Sequence, residues 1–471
     1  MRVKKVLVEA GQGQLFDRWE ELNEADKTLL ERNFQRICEK NNVGKLVQNC
    51  QRAIELAEQN ENSQIAIEPL PASSYESVIG NLEKREIYGK LGLEAIQRGE
   101  VAVILMAGGQ GTRLGSSRPK GCYDIGLPSQ KSLFQIQAER LGRLQTIAKC
   151  EKPIQWYIMT SAPTRAATES FFEDNHFFGL SSEQVSFFNQ GTLPAFDLDG
   201  KHLLQATPTS LVESPDGNGG LYRAIRDNHL LEEFAAKNIK HIHMYCVDNV
   251  LVKIADPVFI GYAIKNSFEL ATKAVRKRDA AESVGLIATK QAKPCVIEYS
   301  EISKQMAEAR DEDGLLKLRA ANIVNHYYSV ELLQKQLNTW CETLPYHIAK
   351  KKIPIYDAAT QKYVKPETPN GIKLEMFIFD VFPSVPLNKF GCLEVDRESE
   401  FAPLKNASGS ANDNPETSRQ AFLNLCVRWL KLAGAKVDDD AQVEISSAIT
   451  YEGEGLENFK GKKITNGSYL V

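Results

Sequence analysis

One stretch constrains the fold more than any other. Six apolar residues, Val101-Ala102-Val103-Ile104-Leu105-Met106, run directly into Ala107-Gly108-Gly109-Gln110-Gly111-Thr112-Arg113-Leu114-Gly115, and Pro119-Lys120-Gly121 follows. The apolar run is rich in β-branched residues and far too short for a membrane span, so it reads as a strand buried on both faces. The glycines then leave little side chain between the backbone amides and a ligand, and allow left-handed turns where these are needed. Converging N–H groups beside Arg113 and Lys120 describe a loop for a polyanion. Two familiar phosphate loops fail on spacing. A Walker loop ending at Lys131-Ser132 would place its glycines where Ile125 and Gln130 stand, and the dinucleotide fingerprint needs a third glycine where Leu114 stands.

The rest of the chain fits such a strand and loop into a parallel, doubly wound sheet. A helix is expected over 132–148, a buried strand over 156–161, a helix over 164–175, and strands over 185–188 and 241–247. In such sheets ligands bind at the carboxyl ends of strands, where strand order reverses. Residues that follow strands are therefore the informative ones. Asn189-Gln190-Gly191 offers a side-chain amide that could pair with the edge of a base, or a polar turn. Pro215-Asp216-Gly217-Asn218-Gly219-Gly220 is a second glycine loop, leading into a helix near Leu221. Asp248 ends the His241 strand, where a carboxylate suits Mg²⁺ bridging phosphates and also suits a helix cap. His241 and His243 share a strand face, but no third ligand matches them, which favours packed or surface histidines over a metal pair.

Composition limits the function classes. The net charge of −4 over 471 residues gives no global basic field for nucleic acid, so an anionic ligand must meet local clusters. Lys273, Arg276, Lys277 and Arg278 form one cluster and Lys350-Lys351-Lys352 another, both read as solvated helix faces or loops. Nine cysteines without a Cys-x-x-Cys pair argue against a disulfide framework or zinc ribbon. No apolar run reaches the ~18 residues of a spanning helix. A cytoplasmic protein without membrane or nucleic-acid partners is the expectation, and a monomer is preferred.

Residues 10–60 repeat apolar positions at helical spacing, an extended patch over 65–71 follows, and another helix is expected over 83–99. Strands interrupted by polar loops are expected over 284–287, 295–299 and 323–328, and an apolar strand over 373–382 carrying Asp380. A helix over 416–432 and strand-and-turn material over 437–471 complete the chain. The expected division is an N-terminal helical region over 1–95 packing against the core, a Rossmann-like catalytic domain over 96–400, and a small C-terminal domain over 401–471.

The run Leu-x-x-Gly-Gly-x-Gly-Thr-Arg-Leu-Gly-x-x-x-Pro-Lys from Leu105 to Lys120 resembles the signature loop of nucleotide-sugar pyrophosphorylases. Tyr245-Cys246-Val247-Asp248-Asn249, Val296-Ile297-Glu298-Tyr299-Ser300-Glu301, Pro369-Asn370-Gly371-Ile372-Lys373 and Pro403-Leu404-Lys405-Asn406 follow in order. With them the whole chain resembles the eukaryotic, fungal-type UDP-N-acetylglucosamine pyrophosphorylases of the UDP-sugar pyrophosphorylase family. The resemblance implies a Rossmann-like α/β nucleotidyltransferase core with a mixed sheet. It implies uridylyl transfer from UTP to N-acetylglucosamine 1-phosphate with Mg²⁺, for which Mn²⁺ can substitute. Leu105, Ala107, Gly108, Gly109 and Gly111 would approach the nucleotide, with Gln190 and Gly217 reading the uracil. Asn218, Gly285, Glu298 and Asn322 would line the sugar, and Phe377 or Phe379 would flank its N-acetyl group. Arg113 and Lys120 would act on the transferring phosphates, Lys405 on the sugar phosphate, and Asp248 on the metal. The alternatives are the same chemistry on N-acetylgalactosamine or glucose 1-phosphate, or a non-catalytic nucleotide-sugar-binding protein.

Overall fold

The computed structural model describes residues 2–59 and 66–471. Ile65, the start of the expected extended patch, lies outside the described residues. Two compact units form, each from three separate stretches of chain. One comprises Met1–Ile65, Gln190–Arg223 and Thr339–Asp380; the other comprises Ala66–Asn189, Ala224–Asn338 and Val381–Val471.

The second unit is built on a mixed sheet. Val101–Met106 sits at its middle, with every residue buried, as an uninterrupted apolar run requires. Gln155–Thr160 and then Val185–Asn189 lie parallel to one side of it, and His241–Cys246 lies parallel on the other. Ala320–Ser329 is antiparallel both to the His241 strand and to Leu270–Arg276, and Phe390–Val395 and Tyr75–Ser77 continue beyond in parallel. The chain thus winds outward from the Val101 strand, then returns to its opposite flank. That reversal places the switch point between the carboxyl ends of the Val101 and His241 strands, where ligands bind in sheets of this kind.

Helices cover this sheet for readable reasons. Leu133–Ala148 begins at Ser132, whose hydroxyl accepts the Gln135 N–H at 3.2 Å, and its apolar face joins the core around Trp156, Phe172 and Val103. Leu82–Gln97 and Pro257–Asn266 cross in close contact at glycines: a Cβ on Gly92 would stand 1.9 Å from the Pro257 carbonyl oxygen. Pro415–Leu432 starts in an Asn414 capping box and packs Phe422, Leu423 and Leu430 on Ile125, Leu127, Val250 and Leu404.

The first unit packs Arg2–Glu9, Glu24–Lys40 and Val43–Gln59 around Leu30, Phe34 and Ile37, together with Leu193, Phe196, Ile372 and Leu374 from the later stretches. Buried Gln12 ties the stretches together: its Nε2 donates to Lys201 O and its Oε1 accepts Leu203 N–H, both at 2.8 Å. His347–Lys351, Gly371–Glu375 and Phe196–Asp197 form a small antiparallel sheet.

Two expectations are corrected. The apolar strand over 373–382 is instead a strand, Gly371–Glu375, followed by a 3₁₀ helix, Ile378–Ser384. Asp380 causes the turn, because its Oδ2 accepts the Phe377 N–H at 3.1 Å, a local bond that competes with extension. Lys273 does not belong to a solvated face. It lies fully buried on the Leu270 strand, 2.5 Å from both Asp256 Oδ2 and Glu400 Oε2. Of the paired histidines, His243 is buried and its Nε2 meets Asn325 Oδ1 at 2.5 Å, while His241 is half-buried and its Nδ1 meets the Tyr327 hydroxyl at 2.7 Å; no metal-binding group of acidic, His and Cys side chains occurs among the described residues.

Candidate active site

At the switch point the Val101 strand ends in Ala107, whose N–H donates to Met159 O at 2.9 Å and so remains in the sheet ladder. Leu105 and Ala107 are wholly buried in the core, so backbone is all they can present to a ligand. The loop beyond them is stiffened from within. Gly111 N–H donates to Arg118 O at 3.0 Å, Lys120 N–H donates to Gly109 O at 3.2 Å, and Gln110 bridges Pro119. Ser161, at the end of the Gln155 strand, donates its hydroxyl to Gly108 O at 2.6 Å and fixes the loop's first turn. Of Gly108, Gly109, Gly111 and Gly115, only Gly115 has a positive φ. A Cβ on Gly109 would meet nothing within 4 Å, so the fold itself does not demand glycine there, and without a side chain the exposed backbone stays open to close approach.

Charge gathers on this loop. Lys120 Nζ lies 3.8 Å from Asp248 Oδ2, both groups being about one-fifth exposed. Asp248 follows the His241 strand, and its carbonyl accepts the Leu404 N–H at 2.9 Å. Lys405 comes next, its own N–H donating to Asp413 O at 2.7 Å and its side chain exposed. The Cys246 thiol beneath them is pushed far up by burial and further by Asp248, while Lys405 and Lys120 oppose that shift, which places all three charges around one strand end. Arg113 is exposed and makes no hydrogen bond or ion pair with the described residues. The structure therefore brings Lys120, Asp248 and Lys405 together and leaves Arg113 extended from the loop.

A second group in the same unit joins three expected sugar residues. Asn322 N–H donates to Gly285 O at 2.9 Å, and Glu298 Oε1 lies 3.5 Å from where a Cβ on Gly285 would stand. Glu298 is half-buried, and its N–H donates to Glu301 Oε1 at 3.2 Å. Asn322 Oδ1 accepts the N–H of Val324, which holds a φ of 51°, a sparsely populated conformation for a β-branched residue. That irregularity interrupts the pairing between Thr272 and Ala274 and turns the strand beside Asn322.

The first unit holds the remaining candidates. Thr192–Pro194 pairs with Glu213–Pro215, which sets the Gln190 turn beside the second glycine loop. The Gln190 side chain is half-buried and makes no hydrogen bond to the described residues. Gly217 is required twice over: its φ is 85°, and a Cβ there would stand 2.4 Å from Met376 O. Asn218 Oδ1 accepts the Ile378 N–H at 3.0 Å, locking this loop to the turn that carries Phe377 and Phe379. The two phenyl rings are half-buried with centroids 5.3 Å apart, and the His347 imidazole stacks on Phe377 at 4.1 Å. His347 Nε2 also lies 2.9 Å from Asp380 Oδ2. Asp380 is thus engaged in shaping this turn.

Sequence reasoning missed Ser161, Asn249 and His347. The first two follow strands and so obey the same strand-end rule that found Asp248. His347 carries no such signal, because it reaches Phe377 only through pairing of distant strands.

A glycine-rich anion loop at the switch point of a half-parallel α/β sheet defines a nucleotide-phosphate-binding architecture. The chain belongs to the UTP–glucose-1-phosphate uridylyltransferase family, whose model matches residues 46–426. It is 66% identical to the UDP-N-acetylglucosamine pyrophosphorylase of Saccharomyces cerevisiae, over 98% of this chain and 97% of that protein. It is 42% identical to UDP-N-acetylglucosamine diphosphorylase 2 of Arabidopsis thaliana, over 96% of this chain and 90% of that one. Its fold superposes on the crystal structure of the Trypanosoma brucei uridine diphosphate N-acetylglucosamine pyrophosphorylase with a TM-score of 0.84 and 30% identity, over 96% of this chain and 93% of the other.

Proposed function

We propose that this protein transfers the uridylyl group of UTP to N-acetylglucosamine 1-phosphate, giving UDP-N-acetylglucosamine and pyrophosphate. The observation that carries the reading is the convergence of the glycine loop, Lys120, Asp248 and Lys405 at one strand-end switch point, in a chain 66% identical to a fungal enzyme of that name.

The chemistry suits these side chains. The sugar phosphate is already an anionic oxygen nucleophile, so attack on the α-phosphorus of UTP needs no side-chain base. Repulsion between two polyanions opposes it: two unit charges at 4 Å interact by ~4 kcal/mol at an effective dielectric of 20. Lys120 and Arg113 neutralise the transferring phosphates, Lys405 holds the sugar phosphate, and the loop amides fix the line of attack. Gly285, Glu298 and Asn322, in the same unit as these charges, take the sugar hydroxyls. Asp248 would hold Mg²⁺, or Mn²⁺ in its place. A single half-buried carboxylate suits an ion that completes its shell with phosphate oxygens and water, and Asp248 has the hard oxygen donors it needs. When bound, the ion adds positive charge where the phosphates meet. The protein is proposed to act as a cytoplasmic monomer; no helix of the described residues is long and apolar enough to cross a membrane.

Pyrophosphate release from UTP and Mg²⁺, measured with N-acetylglucosamine 1-phosphate and with glucose 1-phosphate in parallel, tests the reading. A kcat/KM higher for the acetamido sugar is expected. A preference for glucose 1-phosphate reassigns the sugar, and release with neither from folded protein overturns the activity.

A further inference from the structure

Asn249 follows Asp248 directly and is buried. Its Oδ1 accepts two backbone N–H groups, Leu251 at 3.2 Å and Ala402 at 3.0 Å, while its Nδ2 donates to Glu400 O at 2.7 Å. One amide thus joins segments some 150 residues apart, and only an asparagine-type side chain presents this acceptor and donor together. The backbones on either side form a short ladder: Val250 N–H donates to Ala402 O at 3.1 Å and Leu404 N–H to Asp248 O at 2.9 Å. Pro403, which bridges Asn249 between them, has no N–H to give, so the ladder is weakest at that position. The side chain of Asn249 supplies the missing cross-links.

The far end of the clamp is itself anchored. The Glu400 carboxylate is gripped by Lys273 at 2.5 Å and Lys253 at 3.4 Å, and Lys253 also pairs with Glu452 at 2.5 Å. These groups are buried, apart from a part-exposed Glu452, so the segment 400–404 hangs from a fixed point in the core. Two backbone bonds and the three side-chain bonds of Asn249 together join that segment to the end of the His241 strand, and Asn249 supplies the larger share.

We propose that Asn249 is a positioning residue, whose amide sets the separation of Asp248 from Lys405 and so places the sugar phosphate against the nucleotide. The proposal rests on the uridylyltransferase reading above. Asn249 touches no reacting atom; it acts through Lys405, which it holds by way of Ala402, Pro403 and Leu404.

A double-mutant cycle tests it. Asn249→Ala is expected to lower kcat by about 10- to 100-fold and to raise KM for the sugar 1-phosphate, in line with a misplaced charge contact. Equilibrium binding of UTP alone, which uses the glycine loop, is expected to stay within about twofold. Because the effect runs through Lys405, the Asn249→Ala/Lys405→Ala double variant is expected to be no slower than Lys405→Ala. Asn249→Asp, which keeps the two accepted bonds and loses the donated one, is expected to recover part of the activity. If Asn249→Ala does not yield folded protein, the cycle is run with Asn249→Asp. Independent, multiplying losses in the double variant, wild-type kinetics in Asn249→Ala, or a parallel loss of UTP affinity would each overturn the proposal. Full turnover by Lys405→Ala would instead remove Lys405 from the mechanism proposed above, a separate failure.

Discussion

At the scale of single residues, the active loop separates charge that is held from charge that is free. Lys120 is pinned 3.8 Å from Asp248 by a backbone bond to Gly109 and the 3₁₀ turn Lys120–Cys122, whereas Arg113 extends into solvent. A preorganised cation loses little on meeting a developing charge, and removing one such contact costs ~10²- to 10³-fold in kcat. Lys120→Ala is therefore expected to lower kcat about 10²-fold or more, and Arg113→Ala similarly, with thermal unfolding unchanged because neither side chain supports the core. Steady-state pyrophosphate release together with a melting curve reads both; turnover at the wild-type rate in either variant removes that residue from the mechanism. Residues of this kind are legible in sequence because their spacing is local. Gly217 could be named as a loop glycine in the same way, but the 2.4 Å approach of Met376 O that makes it obligatory comes from some 160 residues downstream, and no local pattern announces it. Asn249 was visible as a residue after Asp248; its three partners were not.

Among elements, the buried strand of Val101–Met106, the helix of Leu133–Ala148 and the strands Gln155–Thr160 and His241–Cys246, each ending one residue before its expected end, follow from the apolar pattern. The Leu270 strand shows where that reasoning stops. Basic residues near 273–278 suggest a solvated face, but period-two alternation through a strand buried on both sides sends Lys273 inward to meet Asp256 and Glu400. Burial alone would raise the Asp256 carboxyl, yet Lys273 and Lys253 beside it hold it well below its ordinary range. Removing Lys273 leaves two carboxylates buried with reduced compensation, which in such clusters costs about 3–5 kcal/mol. Lys273→Ala is expected to lose stability on that order in urea unfolding, even though it touches no ligand. A loss under about 1 kcal/mol would show that the cluster re-forms around Lys253 alone.

For the whole molecule, the two units interleave along the chain; the patch expected from residue 65 marks the first boundary, but those after Arg223 and Asn338 fall inside single helices, where composition and local pattern show no break. The sheet-bearing unit carries one property that belongs to no single element. His243 and His326 are fully buried and His241 half-buried, and burial depresses them to about 4, about 3 and about 4 respectively, with Lys273 adding to the shift at His243 and His243 to that at His326. All three are neutral in the fold, whereas in the unfolded chain they titrate near the ordinary histidine value of about 6.5. Below that value the unfolded state binds more protons, so their contribution is complete above about pH 6.5 and is lost as pH falls toward 4. Each group adds a slope of up to about 1.4 kcal/mol per pH unit, and the three together approach about 4 near pH 5. The carboxylates of Asp256 and Glu452, held low by Lys253 and its neighbours against the opposing effect of burial, contribute at higher pH and are lost only as pH falls below their unfolded values, a window beneath that of the histidines. Denaturant unfolding of the sheet-bearing unit between pH 7.5 and 5 is thus expected to weaken steeply above the window in which Asp256 and Glu452 are lost. His326→Phe, which keeps an aromatic ring against Phe382, is expected to reduce that slope by about one proton's worth, ~1.4 kcal/mol per pH unit. Stability that stays flat across this range would mean that the buried imidazoles keep their protons in the folded chain, and the packed-histidine account of the His241 strand would fall with it.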